Sequence, residues 1–202
     1  MPPTPDRSVQ PGPDGIPRCW WCLGAPEYIA YHDDDWGRPQ HDERALFELL
    51  TLELFQSGLS WLTILRKRPA FRAAFGGFVP ERVAAFGDRD VERLLADAAI
   101  VRHRGKIDAA IANARAVLGL HERGTSLAEL AWSFAPDAAG RPVPAGAGDV
   151  AAQTAESRAL AAALRRAGFR FVGPTTVWSF MQSAGMVNDH LAGCAAGDAL
   201  RR

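Results

Sequence analysis

Cysteine and histidine gather near the two ends of the sequence. Arg18-Cys19-Trp20-Trp21-Cys22 spaces two thiols by two residues, and His32 follows downstream. Near the other end, Asn188-Asp189-His190-Leu191-Ala192-Gly193-Cys194 sets His190 and Cys194 four positions apart. Taken alone, Cys19-x-x-Cys22 suggests thiol–disulfide chemistry. Such a pair works at a helix N-terminus after a strand, whereas here a proline-rich stretch precedes it and a loop is expected after it. The second pair suggests a metal. On a helix, positions i and i+4 share a face with β-carbons about 6 Å apart, close enough for one ion. Cys19, His32, His190 and Cys194 together would make the closed tetrahedral set of two thiolates and two imidazoles that structural zinc prefers. The alternative is that His32 and His190 are ordinary polar or capping residues.

Three further groups could carry chemistry. Trp21, Tyr28, Tyr31 and Trp36 offer ring faces that either stack a planar ligand or pack a core. Asp33-Asp34-Asp35 follows them, but three successive carboxylates do not converge on one ion without special backbone geometry, so a helix start or a solvated turn is expected there. Glu53 lies inside an otherwise apolar helical run. A lone buried carboxylate needs a basic partner or a pocket to face, and Gln56, at i+3, and Trp61 are near it in sequence. Finally, D-A-A-I-V-R-H-R-G-K-I at 97–107 places a short basic, glycine-containing turn between two helical patterns. Backbone N–H groups with Arg102, Arg104 and Lys106 suit phosphates. Arg66-Lys67-Arg68 with Arg72 reads as a solvated helix face.

The elements that must position these groups are helical. Apolar spacing predicts a central helix from His41 to Gly58, and a second one from Ser60 that Pro69 ends or restarts. Short amphipathic helices are expected over 79–86 and 88–97, a long one over 104–120, and others over 154–167 and 175–185. Residues 135–150 read as a long loop. Six of the fourteen prolines fall in residues 1–17, which reads as a disordered tail outside a single domain of two helical lobes spanning 18–202. The fold class expected is all-α. A formal net charge of zero excludes bulk attraction to nucleic acid or membrane, though a local basic patch can still serve DNA. No apolar run is long enough to span a bilayer, so a cytoplasmic protein without membrane partners is expected. Three cysteines in a reducing compartment favour metal binding or catalysis over disulfides.

As a set, the motifs resemble those of the bacterial DNA-3-methyladenine glycosylase I family, of the helix–hairpin–helix class. The matching pieces are R-C-x-W at 18–21, Y-I-A-Y-H-D-x-x-W-G at 28–37 and L-E-x-x-Q-S-G-L-S-W at 52–61. R-H-R-G-K-I at 102–107, F-V-G-x-T within 169–175, S-F-M-Q at 179–182 and V-N-D-H-x-x-G-C at 187–194 continue in family order. Trp20, Cys22 and Leu54 depart from the pattern. The resemblance implies a DNA-repair enzyme, a monomer, that flips 3-methyladenine out of alkylated double-stranded DNA and hydrolyses its N-glycosidic bond. It further implies Cys19, His32, His190 and Cys194 as ligands of a structural Zn2+. Glu53 would bind the damaged base within an aromatic pocket of Trp21, Tyr28, Tyr31 and Trp61. Arg102, Arg104, Gly105 and Lys106 would belong to the DNA-binding hairpin. A zinc-stabilised DNA-binding module and a thiol oxidoreductase are the rival functions.

Overall fold

Val9–Pro11 (β1) and Pro17–Cys19 (β2) pair antiparallel, with Val9 opposite Cys19 and Gln10 opposite Arg18. This is seen in a computed structural model of the protein, which describes residues 7–137 and 140–201. Part of the segment expected as a disordered tail is therefore a hairpin, while residues 1–6 lie outside the described residues. Its prolines sit at the ends of a two-stranded ribbon, where no ladder donor is missed. Gly15, at φ 78°, closes the turn between the strands. The small sheet is the one departure, among the described residues, from an otherwise helical chain.

The chain divides into two compact units. The first holds the hairpin, α1 (Pro26–Asp34), the Pro136–Ala152 segment and the chain from Met181 onward. α1 was not expected from periodicity; Pro26 at its first position presets φ for the first turn. The 136–152 segment carries only a short 3-10 turn, Ala147–Asp149. Backbone bonds hold it to its unit: Ala147 N–H donates to Arg7 O at 3.2 Å and Ala192 N–H to Pro144 O at 2.8 Å.

The second unit is built around α2 (Glu43–Gln56), whose residues Leu46 to Phe55 are buried without a break. Burial around the whole circumference is what its apolar pattern predicted. Asp42 caps the helix, accepting from Ala45 N–H at 2.8 Å. α3 (Trp61–Ala74) is capped by Ser60 and runs straight through Pro69. The expected break does not occur; Pro69 removes one helical donor on an exposed face, where water can serve the freed carbonyl. Phe55, Phe71, Phe75 and Phe78 are fully buried, with Phe55 and Phe71 centroids 4.8 Å apart. Each such ring contributes roughly 1.5–3 kcal/mol by burial.

α4 (Pro80–Ala84), α5 (Asp88–Ala96), α6 (Arg104–Glu122), α7 (Leu127–Trp132) and α8 (Ala155–Arg166) follow. α9 (Pro174–Ser183) and α10 (Ala195–Leu200) complete the chain. The Arg66-Lys67-Arg68 cluster is largely spent inside its unit. Arg68 and Arg72 neutralise the buried Glu48, with Nε to carboxylate distances of 2.6 and 2.9 Å. Lys67 donates to the carbonyls of Ala98 and Ala99 in the α5–α6 turn. Among the described residues no helix is long and apolar enough to cross a membrane.

Candidate metal centre and aromatic cleft

Four donor atoms converge in the first unit. The ligand atoms of Cys19, His32, His190 and Cys194 all lie within 4.8 Å of one another, and all four residues are fully buried. β2 delivers Cys19 and the last half of α1 delivers His32. His190 and Cys194 do not sit on a helix as their spacing suggested. They flank a tight turn in which Gly193 takes φ 81° and Cys194 N–H donates to Leu191 O at 3.0 Å, after which α10 begins. A left-handed glycine ends helical geometry, and the turn brings both side chains to one point.

The donor set fits a metal, and zinc in particular by its chemistry. His32 Nε2 and His190 Nδ1 face each other at 3.1 Å, and each lies 3.4 Å from Cys194 Sγ. Two imidazole nitrogens and a sulfur that close need a proton or a cation between them. The outward nitrogens are held as metal-ligating histidines are held. His32 Nδ1 meets the Asp33 carboxylate at 2.7 Å, and His190 Nε2 meets Trp36 O at 3.2 Å. Leu191 N–H donates to Cys19 Sγ at 3.4 Å.

The electrostatics favour negative sulfur. The hydrogen bond from Cys19, assisted by His190 and His32, holds the Cys194 thiol well below the usual thiol range. The same shared proton pushes Cys19 up. Burial works against a charged His32, yet hydrogen bonds to Cys194, Cys22 and Asp33 carry it up to about 10. A bound cation would replace those protons and hold both sulfurs as thiolates. Asp33, expected in a helix start or a solvated turn, instead lies in the last turn of α1, where it orients His32 and also pairs with Arg18, whose Nε lies 2.9 Å from Asp33 Oδ2. Its position directly after a candidate ligand histidine was the available signal. Cys22 lies beside the cluster but outside the four-residue set: it hydrogen-bonds His32, and its thiol donates to Cys19 O at 3.2 Å.

Aromatic side chains cover the centre. The Trp21 ring lies 5.0 Å from Tyr28, 5.1 Å from His32 and 5.0 Å from Trp36. A cleft of about 300 Å³ opens beside them, lined by Trp20, Trp21, Trp36, Gln182, Asp189 and Leu191. Asp189 is buried and accepts from Arg141 at 2.8 Å and from Gln182 at 2.7 Å. Sequence reasoning had not singled out Asp189 or Gln182 as polar lining. Tyr31, on the same helix as Tyr28, is buried.

The second unit carries the remaining candidates. Glu53 lies in α2 and is 4% exposed, and half-buried Trp61 opens α3. The α5–α6 connection forms the expected basic turn. His103 caps α6 by accepting from Lys106 N–H, and Arg102 and Arg104 are exposed, Arg104 pairing with Glu92. Lys106 differs from its expected role. It is 7% exposed, and its ammonium donates to Phe55 O at 2.9 Å and Ser57 O at 2.6 Å, closing the C-terminal end of α2.

Comparison with known proteins agrees over nearly the whole chain. The family model described as methyladenine glycosylase matches residues 21–197. The DNA-3-methyladenine glycosylase 1 of Escherichia coli (strain K12) is 48% identical over 177 residues, covering 88% of this chain and 95% of that protein. A crystal structure of a 3-methyladenine DNA glycosylase I superposes with a TM-score of 0.83 at 50% identity, covering 88% of this chain and 98% of the other. A tyrosine-to-phenylalanine variant of a 3-methyladenine DNA glycosylase I, crystallised in complex with 3-methyladenine, gives a TM-score of 0.81 at 37% identity, covering 89% and 97%. With the motifs in order and the fold shared over 88% of its length, the chain belongs to the methyladenine glycosylase family.

Proposed function

We propose that the protein is a DNA-3-methyladenine glycosylase of the helix–hairpin–helix class, which extrudes 3-methyladenine from alkylated double-stranded DNA and hydrolyses its N-glycosidic bond. The observation that carries this is the 48% identity over 177 residues to an enzyme of that name. The relative crystallised with 3-methyladenine points to the same base.

The chemistry of the residues agrees. The methylated base carries a positive charge while attached to the sugar. When water takes its place at the sugar carbon, the base leaves with the bonding electron pair as a neutral molecule. Strong protonation of the leaving group is unnecessary; extrusion and selection are the tasks, and extrusion costs a few kcal/mol. Glu53, a carboxylate held out of water on α2, accepts charge-assisted hydrogen bonds from the base. Trp21, Tyr28, Tyr31 and Trp61 offer it electron-rich faces, worth roughly 0.5–2 kcal/mol per well-placed contact with a cation. Arg102, Arg104 and the backbone at Gly105 hold DNA phosphates at the α5–α6 turn. Cys19, His32, His190 and Cys194 hold a structural zinc ion, which ties the hairpin and α1 to the C-terminal turn and supplies stability rather than reactivity. The enzyme works as a monomer, in the cytoplasm with the DNA it repairs.

The test is release of free 3-methyladenine from methylated duplex DNA, read by chromatography. Wild-type protein releases it, and Glu53→Gln lowers the rate by roughly tenfold or more, the loss expected for a charge-assisted hydrogen bond. A protein that binds methylated DNA but frees no base is a binding module, and the proposal fails. A Glu53→Gln variant with full rate removes Glu53 from base recognition.

A further inference from the structure

Two non-glycine residues among those described take a left-handed backbone, Phe78 at φ 56° and Phe171 at φ 57°. For a bulky side chain this is an outlier that the surroundings must enforce. Phe78 is enforced by its own burial, its ring fully covered and stacked 5.6 Å from Phe75. Phe171 has no such compensation, because it is 49% exposed.

What holds Phe171 is its neighbour. The fully buried Asn113 of α6 grips both backbone groups of Arg170: Arg170 N–H donates to Asn113 Oδ1 at 2.7 Å, and Asn113 Nδ2 donates to Arg170 O at 3.2 Å. Phe169 and Val172 anchor the segment on either side, both buried. The clamp thus projects an aromatic ring outward at the expense of an unfavourable backbone. The ring lies against the basic turn. A β-carbon at Gly105 would stand 3.8 Å from Phe171 Cζ, an ordinary contact distance, and 3.3 Å from His103 Cε1, so both rings lie beside that turn. Arg102, Arg104 and Arg170 are exposed in the same two segments.

The geometry points to Phe171 as a DNA contact, its ring packing on a deoxyribose of the duplex backbone beside the phosphates held by the R-H-R-G-K turn. The occupant follows from the setting. A duplex backbone alternates charged phosphates with apolar sugar faces, and contacts to both fix a protein on DNA. Exposed arginines beside an exposed ring match that alternation. The inference rests on the DNA-glycosylase proposal and extends its DNA-binding surface to the F-R-F-V-G segment.

Three proteins test it: wild type, Phe171→Gly and Phe171→Leu. Each is measured for affinity to an unmethylated duplex across a series of KCl concentrations, for free 3-methyladenine affinity, and for Tm. Phe171→Gly relieves the left-handed backbone, so its Tm equals or exceeds that of wild type. Its DNA affinity falls roughly five- to fiftyfold, as expected for losing half a Phe ring of buried area. That loss is the same at every salt concentration, because an apolar contact releases no counterions, and free-base affinity is unchanged. Phe171→Leu keeps most of the DNA affinity. DNA affinity of Phe171→Gly within twofold of wild type overturns the inference. So does a parallel fall in Tm and free-base affinity, which marks a merely structural residue. If wild-type protein binds no duplex and frees no base, the glycosylase proposal fails first and this inference falls with it.

Discussion

The ammonium of Lys106 sits 2.6 Å from the carbonyl oxygen of Ser57, and 2.9 Å from that of Phe55. One side chain from the first turn of α6 therefore closes the end of α2, holding carbonyls two and four residues beyond Glu53. Burial lowers the Lys106 pKa, so the charge is kept at a desolvation cost that the two carbonyls offset. We expect Lys106→Met to leave those carbonyls without a donor and to cost about 2 kcal/mol, lowering Tm by roughly 4–8 °C for a chain of this length. Free 3-methyladenine should bind more weakly, because the end of the Glu53 helix loosens. The salt dependence of duplex binding should match wild type. A flatter slope of log affinity against log salt would instead return Lys106 to the phosphates.

Asp33 links a candidate ligand to the hairpin. It holds His32 Nδ1 and receives Arg18 Nε. Replacing the carboxylate by an amide keeps the shape but removes the charge that orients the imidazole. Asp33→Asn is expected to lower zinc affinity by about 10- to 100-fold, the usual effect of losing an outer partner of a metal ligand. Competition against a chromogenic chelator measures it directly. Unchanged affinity would mean that packing by Trp21 and Trp36 alone fixes the ring.

The hairpin should open in acid. The hydrogen bond from Arg18 holds Asp14 down at about 2, against an ordinary carboxylate value near ~4. A carboxyl group depressed in the folded state contributes stability fully present above its unfolded pKa and lost as pH falls through the folded one. The window is therefore about pH 4 to 2. Amide NMR signals of Val9 to Cys19 should broaden or shift through that window in wild type. In Asp14→Asn the hairpin should already be loosened at neutral pH and should show no further change attributable to position 14.

Sequence legibility followed the apolar period. α2 and α6 were read near their true limits, because burial on nearly every side or along one long stripe leaves a clear pattern. α1 was not, since its buried positions include His32 and its last turn is acidic, so it presents almost no apolar stripe. α7 and α10 are six residues each and were missed, whereas the still shorter α4 was read, because Pro80 at its first position marks a helix start that α7 and α10 lack. The Cys/His set was nameable from residue types, but its geometry was not. Spacing placed His190 and Cys194 on a helix face, while the left-handed Gly193 bends the chain into a turn. Lys106 looked like a phosphate ligand because it follows Arg102, Arg104 and Gly105 in a short basic turn; only the three-dimensional end of α2 reveals its carbonyl partners. The strained Phe171 carried no sequence signal at all, since nothing in F-R-F-V-G demands a positive φ.

Gly197 offers a sharper probe of the metal centre than any ligand substitution. It lies inside α10, where glycine costs about 1 kcal/mol relative to alanine, so helix propensity alone favours Gly197→Ala. The surroundings oppose it. A β-carbon at this position would collide with His190 Cβ and stand 3.1 Å from its Cγ, with Arg201 at 3.2 Å. His190 cannot retreat freely, because its Nε2 meets Trp36 O and its Nδ1 faces His32 and Cys194. The collision must therefore move the ring, and the ring carries a donor atom of the cluster. Gly197→Ala is expected to lower Tm and zinc affinity together, with overpacking costing about 1–3 kcal/mol. Cobalt substitution separates the two effects. A displaced imidazole changes the intensity and position of the visible ligand-field bands, whereas simple loss of helix stability leaves the bands of the folded fraction as they are in wild type. If Gly197→Ala raises Tm and leaves the cobalt spectrum unchanged, helix propensity has won and His190 is not held as tightly as these contacts require.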